Sequence, residues 1–78
     1  MRLTLRYFAS LRDAAGIEAE SVEHEGDACT LYAAAASRHG FAMPRERIRI
    51  AVNGSFASWN HALRDGDEVV FLPPVSGG

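Results

Sequence analysis

The order of the predicted elements constrains the fold more than any other feature of this sequence, because only one long helix lies among several strands. The predicted bounds are a strand over 2–8, a short helix over 11–15, a strand over 17–25, the long helix over 28–38, and strands over 48–53, 55–57 and 68–72. One helix can bury its apolar side only against the sheet that these strands form. The order therefore predicts an α+β domain over residues 1–72, with one main helix packed on a mixed sheet.

Residues at the helix ends and turns support these bounds. Asp27 is a good N-cap for the long helix, and Gly40 is a typical residue to end it. For the short helix, Ser10 is the predicted N-cap and Gly16 the predicted end. The dipeptide Asn53-Gly54 is a strong hairpin signal, and Asp65-Gly66 marks another turn. The buried stripe of the long helix is predicted to be Ala28, Leu31 and Ala35.

Charged residues are unevenly distributed along the chain. Four glutamates in the second strand predict a solvated edge strand that resists sheet-to-sheet aggregation: Glu18, Glu20, Glu23 and Glu25. Arg45, Arg47 and Arg49 form a small basic cluster, which we interpret as a solvated face, with an acidic partner as the alternative.

Composition excludes several classes of protein. The formal net charge of −2 argues against a nucleic-acid partner. A single cysteine, Cys29, allows neither an internal disulfide nor a four-cysteine iron–sulfur cluster, and the three histidines are too scattered for a metal motif. All eight basic residues are arginine, so the chain has no lysine to be modified. No apolar run spans a bilayer and no signal peptide is evident, so we expect a soluble cytoplasmic protein with no membrane partner.

The last strand is apolar on both faces. Val69 and Phe71 point one way, and Val70 and Leu72 point the other. If the first and last strands are neighbours, Phe8, Val70 and Leu72 form an exposed hydrophobic patch, and such patches usually mark a binding surface.

Residues 73–78 have the composition of an extended tail. Pro73 and Pro74 favour an extended exit from the sheet, and Gly77 and Gly78 carry no side chains. The six residues after Leu72 reach roughly 20 Å when extended, so the terminal carboxylate could enter a narrow channel in another protein. That carboxylate has a pKa of about 3.5 and is a poor electrophile at neutral pH, so acyl chemistry would need activation, most simply by adenylation with ATP.

The sequence resembles the MoaD-type sulfur carriers, the small subunits of molybdopterin synthase. The resemblance covers the whole chain and is most specific in its final sixteen residues. It is carried by FASLRD at Phe8–Asp13 with Gly16, AVN at Ala51–Asn53, LRDGDEV at Leu63–Val69, and FLPPVSGG at Phe71–Gly78.

The resemblance implies a ubiquitin-like β-grasp fold in which the first and last strands are parallel neighbours. It implies that an E1-like activating enzyme of the MoeB type adenylates Gly78 with ATP, and that a sulfurtransferase then supplies sulfur to form a thiocarboxylate. The loaded tail would enter the MoaE-type large catalytic subunit, within a heterotetramer, and donate sulfur for the dithiolene of molybdopterin. The carrier itself would be non-catalytic and bind no cofactor and no metal.

Residue roles follow from position in the matched motifs. Gly78 would carry the sulfur and Gly77 would give clearance for the tail. The insertion path would be lined by Pro73, Pro74, Val75 and Ser76, and the docking residues would be Phe8, Val70 and Leu72.

Three alternatives remain open. A thiamine-pathway carrier of the ThiS type has the same fold and Gly-Gly chemistry, but such chains are typically shorter and lack the Pro-Pro pair. A ubiquitin-like modifier would join Gly78 to a target lysine, and a plain interaction module would use no covalent chemistry. We expect no independent enzyme activity, because Ser55, Ser58, His61 and Asp65 are ordinary loop residues rather than a catalytic set.

Overall fold

The computed structural model describes residues 1–74, so the predicted tail positions Val75, Ser76, Gly77 and Gly78 lie outside the described residues. A short 3₁₀ turn at Arg45–Arg47 precedes the third strand. The helices and strands are β1 (Arg2–Tyr7), α1 (Ala9–Ala15), β2 (Ala19–Glu23), α2 (Ala28–His39), β3 (Arg49–Val52), β4 (Ser55–Ala57) and β5 (Glu68–Leu72).

The strands form one mixed sheet in the order β2-β1-β5-β3-β4. The first and last strands are parallel neighbours, with Leu5 opposite Val69 and Tyr7 opposite Phe71. The other neighbouring pairs are antiparallel. The predicted mixed sheet with parallel first and last strands is therefore confirmed, and β2 lies at an edge as expected.

The core lies between α2 and one face of this sheet. The predicted helix stripe of Ala28, Leu31 and Ala35 is buried, and Tyr32, which the pattern did not single out, is buried beside it. Aromatic rings pack together at the centre of the core, where the ring centroid of Phe71 lies 5.1 Å from that of Tyr32 and 6.2 Å from that of Trp59. Burial of the inward side chains of β1, β3 and β5 against α2 is the main stabilising contribution. These side chains are Leu3, Leu5, Tyr7, Ile50, Val52, Val69 and Phe71.

The main helix begins at the predicted Ala28 and ends at His39, one residue beyond the predicted Arg38, with the predicted caps Asp27 and Gly40. Asp27 accepts a hydrogen bond at Oδ1 from the backbone N–H of Thr30, at 3.0 Å. Gly40 ends the helix in the left-handed region at φ 72°, and its N–H donates to the carbonyl of Ala36. A non-glycine residue would be strained at that φ, which is why glycine is the usual stop there.

The short helix begins earlier than predicted. It starts at Ala9 rather than after Ser10, and Phe8 is its N-cap residue without a side-chain hydrogen bond. Phe8 thus follows β1 instead of ending it, with its extended backbone carbonyl accepting from the N–H of Leu11 at 3.1 Å. Ala9 has φ 50°, a left-handed conformation that costs free energy for a residue with a Cβ. Gly16 ends the helix as expected.

Side-chain hydrogen bonds join the β3–β4 turn to the start of β5. Asn53 and Gly54 both have positive φ and make the predicted hairpin. Asn53 donates from Nδ2 to Oδ1 of Asp67 at 2.8 Å and accepts at Oδ1 from the N–H of Glu68 at 2.9 Å. Asp67 also accepts from the N–H of Arg64, and these hydrogen bonds lower the pKa of its carboxyl group. The turn residues therefore hold the start of β5 in register.

One glutamate of β2 is not the solvated edge residue that the sequence predicted. Glu20 points inward, with its side chain only 20% exposed. Its Oε2 accepts a hydrogen bond from the Tyr7 hydroxyl and lies 3.0 Å from Nη2 of Arg38 and 2.7 Å from Nε2 of His39. Burial acts to raise the pKa of Glu20, but the hydrogen bonds from these three side chains outweigh it and lower that pKa to about 2. Glu20 thus ties β1 and β2 to the end of α2.

Candidate functional site

The parallel pairing of β1 and β5 brings two predicted docking residues to one end of the sheet. Tyr7 lies opposite Phe71 in register, so Phe8 and Leu72 follow side by side where the chain leaves the sheet. Phe8 is 47% exposed although it is a large apolar side chain. The structure therefore places Phe8 and Leu72 together beside the start of the predicted tail.

These two residues line an open groove of about 550 Å³ at the base of the tail. Pro73 and Pro74 form one part of its wall, and the loop after α2 contributes Met43 and the 3₁₀ turn contributes Arg47. The sequence did not single out Met43 for this site, since its position depends on how the loop folds against β5. The lining residues are Phe8, Ala9, Ser10, Met43, Arg47, Leu72, Pro73 and Pro74.

The third predicted docking residue, Val70, does not line the groove. It lies on the open face of the sheet, opposite Arg6 in β1 and Ala51 in β3. Ala51 is in turn opposite Phe56 in β4, which is 64% exposed. A row of side chains thus crosses the open face and ends at an exposed ring, and this row is separate from the groove.

Phe56 was missed by sequence reasoning, although its signal was present. Ser55, Phe56 and Ala57 alternate about the sheet, and Ala57 packs against the core. Alternation then directs Phe56 to the open face. Its place in a row with Val70 depends on β3 lying between β4 and β5, which the sequence pattern did not indicate.

Arginines surround the tail end of the sheet. Nε of Arg6 donates to Glu68 at 2.8 Å, and Arg12 lies 3.9 Å from Glu18. The guanidinium of Arg49 lies over the Phe56 ring, 4.3 Å from its centroid, in a cation–π contact. Arg49 is also opposite Leu72 in the β3–β5 register, next to the groove.

Two of the four loop residues considered for catalysis, Ser58 and Asp65, make side-chain hydrogen bonds within the fold. Ser58 Oγ bonds to Asn60 Oδ1 at 2.6 Å, and Asp65 Oδ1 accepts from the N–H of Arg2 at 2.6 Å. The half-buried Cys29 has its Sγ 2.9 Å from Nη1 of Arg45. Within residues 1–74, no group of three His, Cys, Asp or Glu side chains could hold a metal ion. In that same part of the chain, no helix is long and apolar enough to cross a lipid bilayer.

The fold and the position of the groove define the class of protein. A mixed five-stranded sheet with parallel β1 and β5, packed on one main helix, is a ubiquitin-like β-grasp. Its last strand leads directly into the segment at which the groove lies.

Comparison with known proteins gives the family. The sequence model of the ThiS family matches residues 5–78, and the chain belongs to this family. The molybdopterin synthase sulfur carrier subunit of Escherichia coli K12 is 38% identical over 76 residues, covering 92% of this chain and 94% of that protein.

Two solved structures extend the comparison. Small archaeal modifier protein 1 of Haloferax volcanii has a TM-score of 0.83 and 28% identity, with both chains fully covered. A complex of subunits 1 and 2 of the molybdopterin-converting factor of Helicobacter pylori contains a chain with a TM-score of 0.72 and 28% identity, again with full coverage of both chains.

Proposed function

We propose that this chain is the sulfur carrier subunit of a molybdopterin synthase, and that Gly78 is the residue that carries the sulfur. The observation that carries the proposal is the groove where β5 gives way to Pro73 and Pro74, flanked by the exposed Phe8. A binding groove at the base of a tail suits a protein that docks first and then inserts its end into a partner. The 38% identity to a curated sulfur carrier subunit supports the same conclusion.

The chemistry begins at the carboxylate of Gly78. One oxygen of this carboxylate attacks the α-phosphorus of ATP, which an E1-like activating enzyme of the MoeB type holds, and pyrophosphate leaves. The terminal sulfur of a persulfide on the sulfurtransferase then attacks the acyl carbon and displaces AMP, and a thiol reductant cleaves the resulting acyl disulfide to leave a thiocarboxylate. The carrier contributes the acyl group and no catalytic side chain, and the ATP belongs to the activating enzyme.

The tail must reach into its partners while the domain stays outside. From Leu72 to Gly78 the extended chain covers roughly 20 Å, and Gly77 adds no side chain to obstruct a narrow channel. In this proposal Pro73, Pro74, Val75 and Ser76 occupy the channel, while Phe8, Leu72 and Val70 contact the partner surface around it.

The proposed receiving partner is a MoaE-type large catalytic subunit, in which the thiocarboxylate gives its sulfur to the pterin precursor. A chain of similar structure occurs in the Helicobacter pylori complex of subunits 1 and 2 of the molybdopterin-converting factor, which supports a partner of this kind. A heterotetramer of two carriers and two large subunits is part of the proposal.

Intact mass spectrometry tests the carrier chemistry. The protein is incubated with ATP, a MoeB-type enzyme and a sulfur source, and we expect the mass increase of one oxygen replaced by sulfur, located at Gly78 by fragmentation. A variant lacking Gly77 and Gly78 serves as control and should show no change. No mass increase in the full chain, while the enzyme modifies a known carrier, would overturn the proposal.

A second candidate function is conjugation to other proteins, as a ubiquitin-like modifier. It is favoured by the structural similarity to small archaeal modifier protein 1. Expression of a tagged chain in its own organism separates the two functions, because a modifier gives higher-mass adducts on target lysines and a dedicated carrier does not. A thiamine-pathway role is tested by asking whether the thiocarboxylate form supplies sulfur to a MoaE-type subunit, because a ThiS-type carrier would not.

A further inference from the structure

Two arginines flank the exit of the tail without an acidic partner in the part of the chain that the structure describes. Arg47 lines the groove with Leu72 and Pro73, and Arg49 is opposite Leu72 in the sheet. In residues 1–74, no carboxylate oxygen lies within 4.0 Å of either guanidinium. Both side chains are exposed, so their charges are available to a protein that approaches the tail.

The other arginines near this end of the sheet are already engaged. Arg6 bonds to Glu68, Arg12 lies near Glu18, and Arg45 contacts both Cys29 and Glu46. The contrast separates Arg47 and Arg49 from the rest of the basic residues here.

The four glutamates of the β2 region each lie within 4.0 Å of a cationic group, whereas within residues 1–74 no carboxylate lies that close to the Arg47 or Arg49 guanidinium, although the chain as a whole carries −2. The glutamates of the β2 region lie at one edge, and Arg47 and Arg49 lie toward the other, because β2 and β4 are the two edge strands. An acidic partner would be repelled by the net charge but attracted by the β3 side. Such an arrangement orients an approaching partner toward the groove.

We propose that Arg47 and Arg49 bind carboxylates on the large catalytic subunit, at the rim of the channel that receives the tail. This inference rests on the proposed function and names the chemistry of the partner surface: an apolar centre that contacts Phe8 and Leu72, with acidic residues beside it. A guanidinium matches a carboxylate with two parallel hydrogen bonds, which fixes orientation as well as attraction.

The structure already aligns one of the two arginines for this role. Arg49 rests on the Phe56 ring, with its guanidinium carbon 4.3 Å from the ring centroid. Holding the side chain in one orientation reduces the entropy lost when it binds. Charges at an interface rim act mainly on the association rate and its salt dependence, so these are the quantities to measure.

The experiment measures association of the full chain with the purified MoaE-type large subunit from the same organism, by stopped-flow fluorescence at low and high salt. The double variant Arg47→Gln/Arg49→Gln should associate about tenfold more slowly than the unsubstituted chain at low salt, with the difference falling to about twofold or less at high salt. The variant Arg47→Lys/Arg49→Lys keeps both charges and should restore most of the rate. Circular dichroism establishes that each variant is folded.

Arg64→Gln is the matched control. Arg64 is an exposed arginine beside Val52 and Asp67, at the end of the sheet away from the tail. In residues 1–74, no carboxylate oxygen lies within 4.0 Å of its guanidinium, although its backbone N–H donates to Asp67. Its substitution changes the net charge by the same amount per site and should leave the association rate within about twofold.

Each other outcome overturns the inference in a distinguishable way. If the unsubstituted chain does not bind the large subunit at all, the proposed function fails together with the inference. If it binds and the double Gln variant matches it in rate and salt dependence, only the inference fails. An equal loss in Arg64→Gln would mean a general charge effect, and slower thiocarboxylate formation with unchanged large-subunit binding would assign the arginines to the activating enzyme instead.

Discussion

Replacing Glu20 by glutamine tests the half-buried cluster of Glu20, Tyr7, Arg38 and His39 that ties β1, β2 and α2 together. The substitution keeps the side-chain shape but removes the charge that Arg38 and His39 approach at 3.0 and 2.7 Å. A carboxyl pKa of about 2 in the fold, against an ordinary 4.5, corresponds to roughly 3 kcal/mol of stabilisation at neutral pH. Because the side chain is partly exposed and glutamine still accepts one hydrogen bond, we expect the free energy of unfolding to fall by about 2 kcal/mol.

The pH dependence gives the sharper test. The pKa of Glu20 is lower in the fold than in the unfolded chain, so its charged form stabilises the protein above about pH 4.5, and this contribution is lost as the pH falls toward about 2. Urea unfolding of both proteins, followed by circular dichroism, should give a difference at about pH 3 that is less than half of that at about pH 7.

Glu23→Gln is the control for this prediction. Glu23 lies on the same strand but faces outward, with its side chain 62% exposed and 3.0 Å from Nε of Arg2. Exposed ion pairs contribute little to stability, so Glu23→Gln should lower the free energy of unfolding by about 0.5 kcal/mol or less. Equal stability of Glu20→Gln and the unsubstituted chain at neutral pH, or a difference that persists in acid, would refute the reasoning about the cluster.

The remaining predictions concern the backbone, the core and the docking surface. Ala9→Gly should raise the free energy of unfolding by about 0.5 kcal/mol, because φ is 50° there. Gly40→Ala should lower it by about 1 kcal/mol, because φ is 72° there although a Cβ would have open space around it. The opposite signs in urea unfolding would contradict this account. Tyr32→Phe should lower the free energy of unfolding by about 1 kcal/mol, because it removes the 2.6 Å hydrogen bond from the Tyr32 hydroxyl to the carbonyl of Met43. An unchanged urea midpoint would argue against that hydrogen bond. Leu72→Asp should weaken binding of the large subunit at least about tenfold in a titration, while Ser21→Asp, on the edge strand β2, should not. Equal binding by Leu72→Asp in a folded chain would remove the groove from the docking surface.

Local sequence signals predicted much of the fold because each depends on residues close together in the chain. Asp27 and Gly40 bound the main helix as expected, and Asn53-Gly54 forms the expected hairpin. The start of α1 was wrong by two residues. Ser10 is a good N-cap by type, but the chain turns at Phe8, the first residue after the parallel pairing of β1 with β5 ends.

Part of the candidate site could also be predicted. Alternation in β5 separated Val70 and Leu72 from the core-facing Val69 and Phe71, and the structure has the same division. The parallel pairing that brings Phe8 to Leu72 came from the family resemblance, since no residue pattern specifies which strands become neighbours. The roles of the tail residues Val75, Ser76, Gly77 and Gly78 remain predictions, because these positions lie outside the described residues.

The sequence by itself determined the elements, the turns and the faces of the strands, because caps, glycines and apolar alternation act over a few neighbouring residues. Only the tertiary structure decided what those faces meet. Strand order brings Phe56 into a row with Val70, and the approach of α2 to β2 changes Glu20 from a solvated edge residue into a half-buried hydrogen-bond acceptor. These contacts join residues far apart in the chain, and their free energy depends on burial and geometry that exist only once the sheet and helix have packed.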